Sequence, residues 1–157
     1  MTDSSYKKSL IQWILSLSNS QIWDEAKREW KVDTIAIIPD GEDSQYCLCW
    51  QEIRELCELE NKKNWNRTIV GNICVNKFLE TDINILTIVD AIKRVKQDNQ
   101  NSLNADSIIY FYEKGVFRSE DKDFYLKIWK KRGLSLKQMK WKKDLNEKVI
   151  LFFDNRR

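Results

Sequence analysis

Hydrophobic residues recur at helical spacing from the beginning of the chain. Leu10, Ile14 and Leu17 follow one another at intervals of four and three residues, which places them on one face of a helix. This pattern predicts an amphipathic helix over residues 5–18. The β-branched run at residues 34–38 then predicts a short strand.

The centre of the chain changes its pattern. Residues 52–59 alternate loosely, residues 61–66 are polar and turn-like, and residues 68–70 are β-branched, so two strands joined by a turn are expected. Cys74 then precedes an apolar run, 75–79, that indicates the beginning of a helix. Two strands, a turn and a helix with a cysteine in its first turn have the outline of a treble-clef zinc finger.

The rest of the chain has helical periodicity. Apolar spacing predicts helices over 82–97, with Thr81 as the N-cap, and over 105–114. Ser135 and Gln138 form a capping-box sequence, S-x-x-Q, at the beginning of the last helix.

These elements predict a mainly α (α+β) fold, with a helical body around a small central zinc module that is treble-clef-like and contains a β-hairpin. The length fits one compact unit. Three segments are expected within it: N-terminal helices with a short strand (1–45), the zinc-binding module (46–80), and a helical C-terminal region (81–157).

Four cysteines carry the most specific chemistry of the sequence. Cys47, Cys49, Cys57 and Cys74 fall within 28 residues, and the chain has no other cysteine and no histidine. A closed site of four protein ligands is typical of structural zinc, whereas catalytic zinc keeps a position open. The cluster therefore predicts one tetrahedral structural Zn²⁺ site made of four thiolates.

Other interpretations of the cysteines stay open. Buried reduced cysteines are common in protein cores, and two disulfides are conceivable although C-x-C spacing is a poor disulfide geometry. A carboxylate such as Glu55 or Glu58 could also replace Cys57 as a ligand.

The positive charge is concentrated towards the C-terminus. The net charge is +3, but residues 121–157 hold 12 Lys and Arg against 5 Asp and Glu, which leaves 15 against 19 for the first 120 residues. Such clustering indicates a polyanion or an acidic protein as partner, although a solvated helix face would look similar. The residues expected to contact this partner are Lys130, Lys131, Arg132, Lys137, Lys140 and Lys143.

A second candidate contact lies in the polar turn of the cysteine segment. Trp65 is surrounded there by Lys62, Lys63 and Arg67. An exposed aromatic side chain among cations is typical of surfaces on which single-stranded nucleic acid stacks. The other tryptophans in the basic segment lie on apolar stripes and are expected to pack in the core.

The cysteine segment resembles a small cysteine-rich zinc-finger family found in proteins of bacteria and their phages. The family pattern C-x-C-G…C…V-G-x-x-C-V-x-x-F differs here in having Trp50 in place of the usual glycine. The basic stretch DFYLKIWKKRGLSLKQMKWKKDLNEKVI is also similar to segments of such proteins. The matching positions are Cys47, Cys49, Ile53, Cys57, Asn61, Val70, Gly71, Cys74, Val75 and Phe78.

Together these features favour a cytoplasmic binding protein without a membrane segment, not an enzyme. The first hypothesis is a nucleic-acid-associated accessory protein, for which the resemblance implies a phage or mobile-element origin. The alternative is a factor that binds and inhibits a host complex in defence or nucleic-acid processing, through an acidic or nucleic-acid-binding host protein. A nuclease that uses carboxylates and a divalent ion is the least favoured hypothesis, because no motif supports it.

Overall fold

The computed structural model describes residues 3–79 and 84–154. These residues confirm a mixed α+β protein with a small antiparallel sheet. A 3-10 turn, Lys27–Glu29, follows the second helix. The helices are α1 (Asp3–Leu17), α2 (Trp23–Ala26), α3 (Asn72–Phe78), α4 (Ile85–Gln97), α5 (Ala105–Glu113), α6 (Ser119–Ile128) and α7 (Leu136–Asp154). The strands are β1 (Trp30–Ile37), β2 (Gln45–Tyr46), β3 (Glu52–Ile53), β4 (Glu55–Asn61) and β5 (Arg67–Gly71).

The chain divides into two compact units, Met1–Asp82 and Ile83–Arg157. The N-terminal unit contains a three-stranded antiparallel sheet in the order β1-β4-β5, and a separate two-stranded ribbon of β2 and β3. The expected hairpin is therefore present as β4 and β5. Because β1 also pairs with β4, the first strand and the cysteine segment belong to one sheet.

Strand β1 is longer than its β-branched run suggested. It pairs with β4 from Trp30, opposite Asn61, to Ile37, opposite Glu55, with one irregularity in the register. The backbone hydrogen bonds of the central strand extend β1 beyond the residues whose side chains favour a strand.

A buried carboxylate joins three segments of this unit. Glu29 is 2% exposed, and its carboxylate accepts hydrogen bonds from the backbone N–H groups of Asn19 and Ser20 and from Asn61 Nδ2, each at 2.8 Å. Burial alone would raise the pKa of Glu29, but these hydrogen bonds outweigh it and lower the pKa below its ordinary value. Glu29 thus ties the chain after α1 to the end of β4.

The C-terminal unit contains α4 to α7. Its first helix is capped by Asn84, whose side chain accepts from the N–H groups of Leu86 and Thr87. The expected cap, Thr81, lies outside the described residues. The predicted capping box of the last helix is confirmed, because Ser135 N donates to Gln138 Oε1 at 3.0 Å and Gln138 N donates to Ser135 Oγ at 3.2 Å.

The last helix is fixed by an aromatic stack. The Trp141 ring lies parallel to that of Phe124, at 3.9 Å between centroids. Its indole N–H also donates to Asp121 at 3.1 Å. Trp141 therefore makes specific contacts within the C-terminal unit, but 39% of it is exposed, so it does not lie in the core as its place on an apolar stripe predicted. The buried apolar residues of this helix are Leu145, Val149 and Phe153.

Within residues 3–79 and 84–154, no helix has both the length and the apolar character that a membrane span requires.

We expect Glu29→Gln to lower the free energy of unfolding by about 2 kcal/mol, because charge-assisted hydrogen bonds are lost in a buried place. The pKa of Glu29 is lower in the folded chain, so the unfolded chain takes up a proton first as the pH falls. The stabilisation is complete above the unfolded pKa, about 4.3, and is lost as the pH falls through the folded value. Denaturant titrations from pH 7 to pH 3 should show the variant losing less stability on acidification. Parallel losses in the two proteins would contradict this role.

Candidate metal centre and basic cleft

Three of the four cysteines converge in the N-terminal unit. The Sγ atoms of Cys47, Cys49 and Cys74 all lie within 4.8 Å of one another. The Sγ atoms of Cys49 and Cys74 are 3.5 Å apart. Cys47 and Cys49 come from the loop between β2 and β3, and Cys74 comes from the first turn of α3, as predicted. A two-stranded ribbon and a helix N-terminus thus build the cluster together.

The loop that carries the first two cysteines is a tight turn. Trp50 N donates to Cys47 O at 2.8 Å, and Cys47 N donates to Gln51 O at 2.9 Å. The turn puts Trp50 at φ +71°, in the left-handed region that favours glycine. The backbone therefore adopts the positive φ for which the resembled family uses glycine. The indole of Trp50 is 58% exposed and lies edge-on to Trp13.

Backbone amides point at the sulfur atoms. Gly71 N donates to Cys47 Sγ at 3.2 Å, and the backbone of Cys49 also donates to that sulfur. The backbone of Gln51 donates to Cys49 Sγ. A Cβ added at Gly71 would stand 3.1 Å from Ile53 Cγ2, so glycine allows the close approach of β5 to β3. Such donors stabilise negative charge on sulfur.

The three thiols cannot all ionise by themselves. A hydrogen bond from Cys74 and the backbone amides lower the pKa of Cys47 to about 5 although its burial opposes this. The pKa of Cys74 is raised, because its proton is held by Cys47 and a second negative charge would stand beside the first. Burial raises the pKa of Cys49. A cation would remove this repulsion, since metal ions deprotonate the thiols that bind them.

The spacing of the cluster suits a metal ion. Tetrahedral zinc with Zn–S bonds near 2.3 Å holds its sulfur ligands about 3.8 Å apart. The observed separations, one of 3.5 Å and all within 4.8 Å, need only small shifts to reach this value. The three cysteines therefore fit a thiolate metal site.

Cys57 does not join the other three. It lies in the middle of β4, opposite Ile35 on one side and Val70 on the other, and all three side chains are fully buried. Burial raises the pKa of Cys57 to about 12, which opposes the thiolate form that a metal ligand needs. Of the four predicted ligands, the structure brings three together and places Cys57 in the apolar sheet.

The two carboxylates considered as substitutes for Cys57 lie in different places. Glu55 lines the same cleft as the three clustered cysteines, and its carboxylate accepts a hydrogen bond from Asn72 Nδ2 at 2.7 Å. Glu58 lines a separate cleft beside Tyr46 and Arg67.

In the C-terminal unit, part of the predicted basic surface surrounds a cleft of about 340 Å³. Leu134 and Met139 contribute its apolar lining. Among the residues predicted to bind a partner, Lys130 and Lys137 are exposed but do not line it, and the Lys130 ammonium lies 4.8 Å from the centroid of the neighbouring Trp129 ring. The cations that line the cleft are Lys131, Arg132, Lys140, Lys142 and Lys143.

Lys142 was missed by the sequence reasoning. Burial lowers its pKa, and Asp98 acts in the opposite direction. The sequence contained a signal for Lys142. Residues three apart share a helix face, and Met139, which also lines the cleft, precedes Lys142 by three.

The second predicted contact region is only partly free. Trp65 is 71% exposed and takes φ +65°, and Lys62 and Lys63 are exposed beside it. The guanidinium of Arg67, however, pairs with Asp33 and lies 3.6 Å from Glu60. Its charge is therefore already partly balanced by carboxylates of the neighbouring strands β1 and β4.

Comparisons of the chain with protein-family models, curated proteins and solved structures found no match. The resemblance to cysteine-rich bacterial and phage proteins accordingly stays an expectation.

We expect the purified protein to bind one metal ion per chain, and we expect Cys47→Ser, Cys49→Ser and Cys74→Ser each to abolish this stoichiometry. Removal of the metal should lower the melting temperature markedly, because metal binding contributes on the order of 10 kcal/mol to the folding of small sites. Metal analysis and thermal melts measure both effects. Cys57→Ala is the control and should keep one metal per chain. Loss of the metal from this control would show that Cys57 is a ligand after all.

A pair of substitutions at Trp50 tests the turn. Trp50→Gly and Trp50→Val both remove the contact with Trp13, but only glycine accepts φ +71° without strain. We expect the free energy of unfolding of the valine variant to be about 1 kcal/mol lower than that of the glycine variant. Equal stabilities of the metal-loaded variants, measured by denaturant titration, would show that the turn does not need this conformation.

Proposed function

We propose that this protein is a metal-binding accessory protein of nucleic acids, and not an enzyme. In this proposal a zinc ion on Cys47, Cys49 and Cys74 stabilises the N-terminal unit. The C-terminal unit binds the phosphates of a nucleic acid. The observation that carries the proposal is the convergence of five cations around one cleft with an apolar lining.

The structural role of the metal follows from what surrounds it. The loop between β2 and β3 is held by two-residue strands and a few backbone hydrogen bonds, so it has little core of its own. A metal ion would link this loop to the N-terminus of α3. Zinc is the ion that thiolate sites with no redox function most often hold.

The basic cleft is suited to phosphates for reasons of charge and position. Lys140, Lys142 and Lys143 lie on α7, and Lys131 and Arg132 lie on the connection that precedes it. The Trp141 ring is stacked on Phe124 and is not among the residues that line the cleft. Binding would therefore rest on phosphate contacts, which are tolerant of sequence and sensitive to salt.

A protein partner is the second candidate, and an observation in the N-terminal unit favours it. Trp13 and Trp50 form an exposed edge-to-face pair, with 44% and 58% of their areas exposed. Exposed tryptophans are enriched among the residues that dominate binding energy in protein interfaces. A host factor that docks on this pair would match the inhibitor hypothesis, for which the resemblance to phage proteins is an argument by analogy.

We expect the protein to bind a labelled oligothymidylate with an affinity that falls steeply between low and physiological salt. Lys140→Gln combined with Lys143→Gln should reduce the magnitude of the slope of log K against log salt by about 1.4, or about 0.7 per phosphate contact. Fluorescence anisotropy at several salt concentrations measures this slope.

The matched control removes two charges outside the cleft. Lys127→Gln combined with Lys137→Gln leaves the net charge equal to that of the test variant, and both residues are exposed but do not line the cleft. A smaller change in slope is expected. Equal changes in slope would show that only the total charge matters. Binding that does not depend on salt would contradict the model in which the cleft contacts phosphates.

A further inference from the structure

The three clustered cysteines line one cleft in the N-terminal unit. The volume of the cleft is about 270 Å³. Cys47 and Cys49 are buried, whereas Cys74 is partly exposed, and the exposed residues Gln51 and Ile73 also line the cleft. The sulfur atoms are therefore reached from solvent on the side of Cys74.

A fourth ligand from this chain is not in place among the described residues. Cys57 lies inside the sheet, and Cys47, Cys49 and Cys74 alone form the cluster. The carboxylates in the cleft already have partners, because Glu55 accepts from Asn72 and Glu52 accepts from Ser44. Three ligands with one open side resemble the arrangement in which zinc keeps an exchangeable position.

Side chains of both charge signs line the same cleft, namely the cation Arg54 and the acidic residues Glu52 and Glu55. Arg54 lines it, and the guanidinium donates to the backbone oxygens of Pro39 at 2.9 Å and Glu42 at 2.8 Å. These carbonyl acceptors hold the side chain in position without neutralising it. An anion beside the guanidinium would be attracted by it and by the metal, against the repulsion of Glu52 and Glu55.

We infer that a metal ion on Cys47, Cys49 and Cys74 keeps one coordination position open to this cleft and takes a small exogenous anion there. The inference rests on the proposed metal binding, but it changes the character of the site. A closed four-thiolate site would be inert to small ligands, whereas an open three-thiolate site exchanges its fourth ligand.

The occupant is a small monodentate anion that can donate a lone pair to a metal ion. A pocket of this volume has room for such a ligand but is smaller than the sites of most drug-sized molecules. The metal supplies the bond, and Arg54 supplies an attraction for negative charge that Glu52 and Glu55 oppose.

Cobalt substitution tests this directly, because the visible spectrum of Co²⁺ reports the number and type of its ligands. The full-length protein is loaded with Co²⁺, and azide is added as the probe. We expect azide to change the ligand-field bands in a saturable way. The wild-type protein, Cys57→Ala and Glu55→Gln should give the same spectrum before azide is added. Arg54→Gln should raise the dissociation constant for azide severalfold.

Three other outcomes would contradict the metal site, the open position or the absence of a fourth protein ligand. Failure of the wild-type protein to bind Co²⁺ would overturn the metal site itself. Tetrahedral thiolate bands that azide leaves unchanged would overturn only the open position. A spectrum altered by Cys57→Ala or by Glu55→Gln in the absence of azide would identify that residue as the fourth ligand and so contradict the inference.

Discussion

Mutual repulsion of three neighbouring sulfur atoms is the constraint on which the N-terminal unit depends. Cys47, Cys49 and Cys74 can be held within 4.8 Å of one another only if their charge is removed by protons or balanced by a cation. The surrounding backbone is arranged for the charged form, since amides of Gly71 and Gln51 donate towards sulfur. Hydrogen bonds of this kind are of little use to neutral thiols, which accept them weakly. The fold around the cluster therefore favours a thiolate at Cys47, whereas the raised pKa values of Cys49 and Cys74 mean that these two thiols need a cation to lose their protons.

The same constraint explains the unusual backbone at Trp50. A left-handed residue that carries a side chain costs roughly 1–2 kcal/mol relative to glycine, and this is recovered only if the turn serves something else. Here it places Cys47 and Cys49 on the same side of a two-residue-strand ribbon. The exposed indole is then presented at the tip of the turn, beside Trp13. Strain, thiolate geometry and an exposed aromatic pair thus have one origin.

The sequence predicted part of this site. The C-x-C spacing and the position of Cys74 in the first turn of a helix follow from local patterns, and both are observed. The place of Cys57 could not be read in the same way, because it depends on the register of β4 against β1 and β5. That register is set by contacts between residues distant in sequence, and it buries Cys57 between Ile35 and Val70. The number and spacing of the cysteines therefore do not reveal the face of the sheet on which each side chain lies.

A similar distinction applies to the basic cleft. The capping box of Ser135 and the helical spacing were readable locally, and they fix where α7 begins. Which lysines share a cleft depends instead on the rotation of α7 about its axis. Trp141 sets this rotation through its stack on Phe124 and its hydrogen bond to Asp121. Because Lys140 and Lys142 flank Trp141 in sequence, the contacts of this partly exposed aromatic ring determine how the two lysines face the cleft.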